Sequence, residues 1–87
     1  MKNTNFEMWV ADCEINNAQI YQLDYDEDTD IGIYMIKRPY WYKSNYQYYD
    51  YDSPVYQLWI GDKRSICTEN YQKIYGIWER LVNESKN

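Results

Sequence analysis

Histidine is absent from this 87-residue chain. With it go the commonest general base at neutral pH, the Ser-His and Cys-His nucleophile pairs and the most frequent zinc ligand. Glycine occurs three times, too seldom for a phosphate-cradling loop, and neither GxGxxG nor GxxxxGK[ST] is present. The two cysteines, Cys13 and Cys67, stand 54 positions apart, which is no zinc-ligand spacing. The longest apolar run is six residues, at 31–36, against the roughly 20 that a membrane-spanning helix needs. The N-terminal MKNTNFEMWV lacks the apolar core of a signal peptide, so the expected compartment is the cytoplasm, with both thiols reduced. A carboxylate pair alone can serve glycoside hydrolysis, but a single domain of this length has little chain left to wall a substrate cleft. The expectation is one domain over 1–87 that is no enzyme and takes no cofactor, metal or membrane.

What the chain has in abundance is aromatic side chains and, at one end, negative charge. Aromatics make up 20% of the residues, with twelve tyrosines and four tryptophans. Asn, Ile, Tyr, Lys, Phe and Met total 39 residues, against 10 for Ala, Gly, Pro and Arg, the balance of an AT-rich coding sequence. Such composition suits an AT-rich bacterium, or a phage or plasmid living in one. The net charge of −5 is unevenly placed: residues 1–30 hold eight carboxylates and only Lys2, while 31–87 carry a small positive excess. An acidic end on a nearly neutral body suggests a face for a basic partner.

The clearest element is C-terminal. Tyr71, Ile74, Tyr75, Trp78, Leu81 and Val82 recur at three- and four-residue spacing, which predicts a helix over 68–84 with Thr68 as its N-cap. Residues 55–63 read as a strand ending in a Gly61-Asp62 turn, and 31–36 as an inner strand apolar on both faces. Residues 20–25 alternate Tyr21, Leu23 and Tyr25 against Ile20, Gln22 and Asp24, and the five residues 26–30 join them to the next strand as a hairpin loop. Residues 5–15 admit two readings. Trp9, Ala11, Cys13 and Ile15 alternate as a strand would, which is the reading favoured. Thr4-x-x-Glu7 is a capping box, however, and Phe6, Trp9, Val10 and Cys13 share a helical face. The expected fold is α+β: a small antiparallel sheet of three or four strands packed on the one C-terminal helix. In its core Trp78, Leu81 and Ile74 should meet Ile33, Leu58, Ile60 and Trp9.

Two stretches stand out as candidate sites. In DYDEDTDIG, Asp24, Asp26 and Asp28 match the start of a calcium-binding EF-hand loop, but Thr29 then replaces its glycine and Met35 its terminal glutamate. The alternative is an exposed acidic hairpin tip of Asp24, Asp26, Glu27, Asp28 and Asp30 that steers a basic partner. The second stretch is YWYKSNYQYYDYDSPVY, at 40–56. Tyr21, Tyr25, Tyr34, Tyr56, Tyr71 and Tyr75 lie in periodic elements and suit ring-inside core packing. Tyr40, Trp41, Tyr42, Tyr46, Tyr48, Tyr49 and Tyr51 do not; they lie between two prolines among Ser, Asn and Asp. Two-χ aromatic rings among small polar residues are the composition of a binding surface. A basic patch at 37–43, KRPYWYK, also fits a single-stranded nucleic-acid platform, but the sequence pI of about 4.5 argues against a phosphate binder.

In size, AT-rich composition, acidity and lack of catalytic residues the chain resembles the small acidic inhibitors that phages carry against bacterial defence, such as anti-restriction and anti-CRISPR proteins. That resemblance carries no residue roles. It implies a protein-binding inhibitor whose target is a larger protein with a basic, nucleic-acid-binding surface, reached as a monomer or homodimer. Spaced carboxylates would stand in there for phosphates. An immunity or antitoxin protein acting on a toxin encoded beside it shares every one of these features.

Overall fold

The computed structural model of the chain describes residues 4–15, 18–37 and 54–86. They form, in order, helix α1 (Thr4–Ile15), strands β1 (Gln19–Asp26), β2 (Ile31–Lys37), β3 (Val55–Ile60) and β4 (Lys63–Thr68), and helix α2 (Tyr71–Lys86). The strands make one antiparallel sheet in the order β1-β2-β3-β4, which leaves β1 and β4 as its edges. The α+β class expected from the sequence is the one observed.

β2 and β3 are apolar on both sides because both faces of the sheet are covered. Their register pairs Ile33 with Leu58, and Tyr34 with Gln57, so alternate pairs point to opposite faces. On one face Ile31, Ile33 and Leu58 pack with Ile74 and Val82 of α2, flanked by Tyr56, Ile66, Trp78 and Leu81. On the other, Tyr34 and Trp59 meet Phe6 and Trp9 of α1, with ring centroids 4.9–6.1 Å apart. Cys13, Ala18 and Ile36 close that layer at the far end. The expected meeting of Ile74, Trp78 and Leu81 with Ile33 and Leu58 is therefore correct, and two of its members are not. Trp9 serves the opposite face, and Ile60, at the end of β3, is 39% exposed.

The strand favoured over 5–15 is a helix. Burial decides between the two periodicities: Cys13 is buried and Phe6, Trp9 and Val10 half-buried, whereas Ala11 is exposed and Ile15 is 79% exposed. The first free amides of α1 are taken by a residue of the turn between β3 and β4. The Asp62 carboxylate accepts the N–H of Asn5 at 3.0 Å and of Phe6 at 2.8 Å. A carboxylate at a helix N-terminus satisfies donors that have no partner inside the helix.

The fourth strand is β4, which fills the stretch between the strand expected over 55–63 and the helix expected over 68–84 and takes in the end residue of each. Lys63 and Thr68 pair with Ile60 and Tyr56 across a tight turn in which Gly61 takes a φ of 59°. Thr68 is thus a strand residue, and the helix starts later than the expected 68. Its N-cap is Asn70, whose side-chain oxygen accepts the N–H of Lys73 at 3.1 Å, while the Thr68 hydroxyl accepts the N–H of Asn70. Among the described residues, no helix is long and apolar enough to cross a membrane.

Candidate functional site

The acidic turn of residues 27–30 joins β1 to β2, and most of its carboxylates are occupied. Asp26 accepts both the N–H and the hydroxyl of Thr29, at 2.9 and 2.7 Å, which shapes the turn as an Asx turn does. Its other oxygen lies 2.6 Å from the Lys86 ammonium, which also reaches to 3.7 Å from Asp28. Lys86 sits in the last turn of α2, where a cation also complements the helix dipole. The Lys86 and Thr29 donors hold the Asp26 carboxyl down at about 2, and Asp26 in turn raises the lysine.

Two further carboxylates are held by tyrosines. Asp30 accepts from the Tyr25 hydroxyl at 2.7 Å, and Asp24 from the Tyr71 hydroxyl of α2 at 2.5 Å. Each hydrogen bond is the main reason that its tyrosine is pushed up to about 12. Asp30 adopts a φ of 57°, and its carbonyl accepts the N–H of Gly61 at 2.8 Å, which ties the two hairpin turns side by side. Of the five carboxylates expected to steer a partner, Asp24, Asp26 and Asp30 are thus also structural. Glu27 and Asp28 are exposed, Asp28 with 82% of its side chain open.

β1 departs from the simple alternation read in its sequence. Gln22 pairs with Tyr34 but Asp24 pairs with Ile33, so the strand carries a bulge at Leu23. Beyond the bulge the faces exchange. Asp24 and Asp26 turn to the α2 side, where Tyr71 and Lys86 meet them, and Tyr25 lies over Gly32 on the α1 side. A Cβ on Gly32 would come within 2.8 Å of the Tyr25 ring. Tyr21, Leu23 and Tyr25 therefore do not form one buried stripe, and all three are exposed.

These three residues were not among the sequence-derived candidates, nor were Met8 and Ile15 of α1. Together they are five of the six exposed large hydrophobic residues among those described; the sixth is Ile60. The signal in the sequence was an aspartate in mid-strand, where such residues are depleted and an irregularity is expected. The tyrosine-rich candidates Tyr40, Trp41, Tyr42, Tyr46, Tyr48, Tyr49 and Tyr51, and the basic patch at 37–43 apart from Lys37 itself, lie outside the described residues. The places where that segment leaves and rejoins the sheet are described. Ile36 pairs with Val55 there, five residue steps along β2 from the Ile31–Ile60 pair beside the acidic turn. At strand rise this is about 17 Å. The two expected contact sets thus attach to opposite ends of the sheet.

Cys13 and Cys67 are not joined by a disulfide. Among the described residues no three carboxylates or thiols converge as a metal cage, the acidic turn included. What the described residues offer chemically is exposed rings and aliphatics on α1 and on both faces of β1, in a segment rich in carboxylates. Set beside known proteins, the chain matches no family model, no curated protein and no solved structure.

Proposed function

We propose that this chain is a non-catalytic, protein-binding inhibitor whose acidic N-terminal face docks on the basic surface of a larger protein. One observation carries the reading. The segment 4–36 holds eight carboxylates and no lysine or arginine, and the same segment supplies five of the six exposed large hydrophobic residues described. Exposed apolar groups within a single-sign charged rim are what a docking surface requires: charge to orient the encounter, rings and aliphatics to hold it. Glu27 and Asp28 do the steering; Met8, Ile15, Tyr21, Leu23 and Tyr25 supply the contact. Tyr40, Trp41 and the tyrosines to 51 add a second set of anchors.

A basic surface of this kind is typical of proteins that hold nucleic acid. The target we propose is therefore a nucleic-acid-handling defence protein in the cytoplasm of a bacterial host, with the chain in the role of a phage anti-restriction or anti-CRISPR inhibitor. The test is a phage challenge of bacteria carrying a restriction or CRISPR nuclease, with and without this chain. Plating should rise when the chain is present, and Glu27→Lys with Asp28→Lys should abolish the rise while the protein stays folded. Relief of a toxin's growth arrest, with no effect on any nuclease, would replace this reading by the antitoxin one. A salt-dependent shift of single-stranded DNA by the purified chain would replace it by a nucleic-acid binder.

A further inference from the structure

A groove of about 480 Å³ runs between α1 and the edge strand β1. Phe6, Val10 and Glu14, on successive turns of α1, line one wall; Ile20 and Gln22, with Tyr34 behind them, line the other. Ile20 and Gln22 are alternate residues that pair with Ile36 and Tyr34, so the groove follows the strand direction on the α1 face. A groove bounded by a helix on one side and an edge strand on the other is the geometry in which an extended peptide adds to a sheet. Backbone hydrogen bonds along the edge then supply affinity, and the groove selects alternate side chains.

β1 is poorly defended against such pairing. Edge strands are ordinarily kept apart by shortness, lysine, proline or bulges. β1 is eight residues long without lysine or proline, and its devices, the bulge at Leu23 and the charges of Asp24 and Asp26, all lie in its second half, away from the 19–22 stretch beside the groove. The opposite edge, β4, opens with Lys63 and Arg64 and carries its own register shift. Among the described residues no strand pairs with β1 on its outer side. The nature of the occupant follows from charge. Glu14 stands in the groove, Glu27 and Asp28 stand beyond the far end of β1, and no cation occurs between 4 and 36. A second copy would bring another net −5 and set acidic strand beside acidic strand.

We propose that an extended basic segment of the partner protein adds to β1 as a fifth strand. An aliphatic side chain of that segment enters the groove among Phe6, Val10 and Ile20, and lysine or arginine side chains reach Glu14 at one end and Glu27 and Asp28 at the other. This rests on the reading that the acidic N-terminal face binds a basic protein, and it adds the mode of binding.

The test uses the full chain and three peptides of about eight residues, the length of a typical edge strand. The first carries lysines at both ends and valine at alternate positions between them, the second is the same peptide N-methylated at alternate backbone nitrogens, and the third has glutamate for lysine. The first should bind at low salt and slow the exchange of alternate amides in 19–26. N-methylation should weaken it about tenfold or more, because several backbone hydrogen bonds are lost together. The glutamate peptide should not bind, and Val10→Lys, at a half-buried groove position, should abolish binding of the first. Equal binding of the N-methylated peptide would overturn strand addition and leave the acidic-face reading standing. No binding of either basic peptide at low salt would sink both. Outward amides of β1 already protected in the free protein, or protected increasingly with protein concentration, would show the edge to be covered by this chain or its copy, and would equally overturn the inference.

Discussion

The carboxylate of Asp62 accepts the backbone N–H of Phe6 at 2.8 Å, across 56 positions of sequence. It fixes where α1 begins, and with it the ring cluster of Phe6, Trp9, Tyr34 and Trp59 that covers one face of the sheet. Asp62→Ala should cost about 1–2 kcal/mol, the usual loss for a helix cap. Asp62→Asn, with one acceptor oxygen in place of two, should cost less. Chemical denaturation followed by tryptophan fluorescence reads both, and a neutral Asp62→Ala would mean that α1 is held by its rings alone.

Trp78 should be the residue that α2 can least spare. Its indole packs with Tyr75 against the sheet and donates to the Ile31 carbonyl at 2.8 Å. Trp78→Ala should cost about 3–5 kcal/mol, a large part of the stability of a domain this small. Trp78→Phe keeps most of the packing but removes the hydrogen bond to the Ile31 carbonyl, at a cost of about 0.5–1.5 kcal/mol. A melting temperature within a degree or two of wild type for the alanine variant would contradict this packing.

The acidic turn should make the protein sensitive to low pH. Asp26 has a folded value of about 2 against an ordinary 3.8, so between those values the unfolded chain binds the extra proton. Its contribution is complete above about pH 4 and is lost as pH falls through about 2. Asp26→Asn and Lys86→Met should each lower the melting temperature at neutral pH and flatten its acid limb over that window. The bonds to Thr29 and Lys86 thus make Asp26 a stabilising residue as well as a member of the acidic tip.

At the alkaline end the sign is opposite. Tyr25 and Tyr71 are raised from 10.0 to about 12 by donating to Asp30 and Asp24. Their contribution is complete below pH 10 and is lost as pH rises through about 12. Tyr71→Phe should remove one late step from the tyrosinate absorbance titration and Tyr25→Phe another. If both variants titrate like wild type, these hydroxyls are not bonded to the aspartates.

Gly32 and Tyr25 should be coupled. Gly32→Ala places a methyl group 2.8 Å from the Tyr25 ring and should cost about 1–3 kcal/mol, as overpacking does. In the Tyr25→Ala background the same change should cost less, because only the 3.2 Å approach to the Tyr34 ring then remains. Additive losses in the double-mutant cycle would place the strain elsewhere.

The elements that were legible in the sequence are those whose periodicity reports their own burial. The stripe from Tyr71 to Val82 predicts α2 because one helix face meets one sheet face, and the two-sided apolar patterns at 31–36 and 55–63 predict an inner strand and a strand. β4 was not legible, because an edge strand carrying Lys63, Arg64 and Ser65 is half wet and has no apolar alternation to report it. α1 was ambiguous for a different reason. Twelve residues with apolar groups at 6, 8, 9, 10, 11, 13 and 15 satisfy both a period of two and a period of 3.6, and only the exposure of Ala11 and Ile15 selects the second.

For the candidate site, the sequence by itself determined composition and charge: no histidine, carboxylates gathered in 1–30, and more aromatic rings than so small a core can take. Tertiary structure decided what those groups do. A single bulge at Leu23 exchanges the faces of β1. It thereby sends Asp24 and Asp26 to Tyr71 and Lys86, more than forty residues on, and leaves Tyr21, Leu23 and Tyr25 in the open. No local pattern encodes that outcome. The partner of each carboxylate lies on another element, and strand register, a property of the paired sheet, chooses which face each side chain takes.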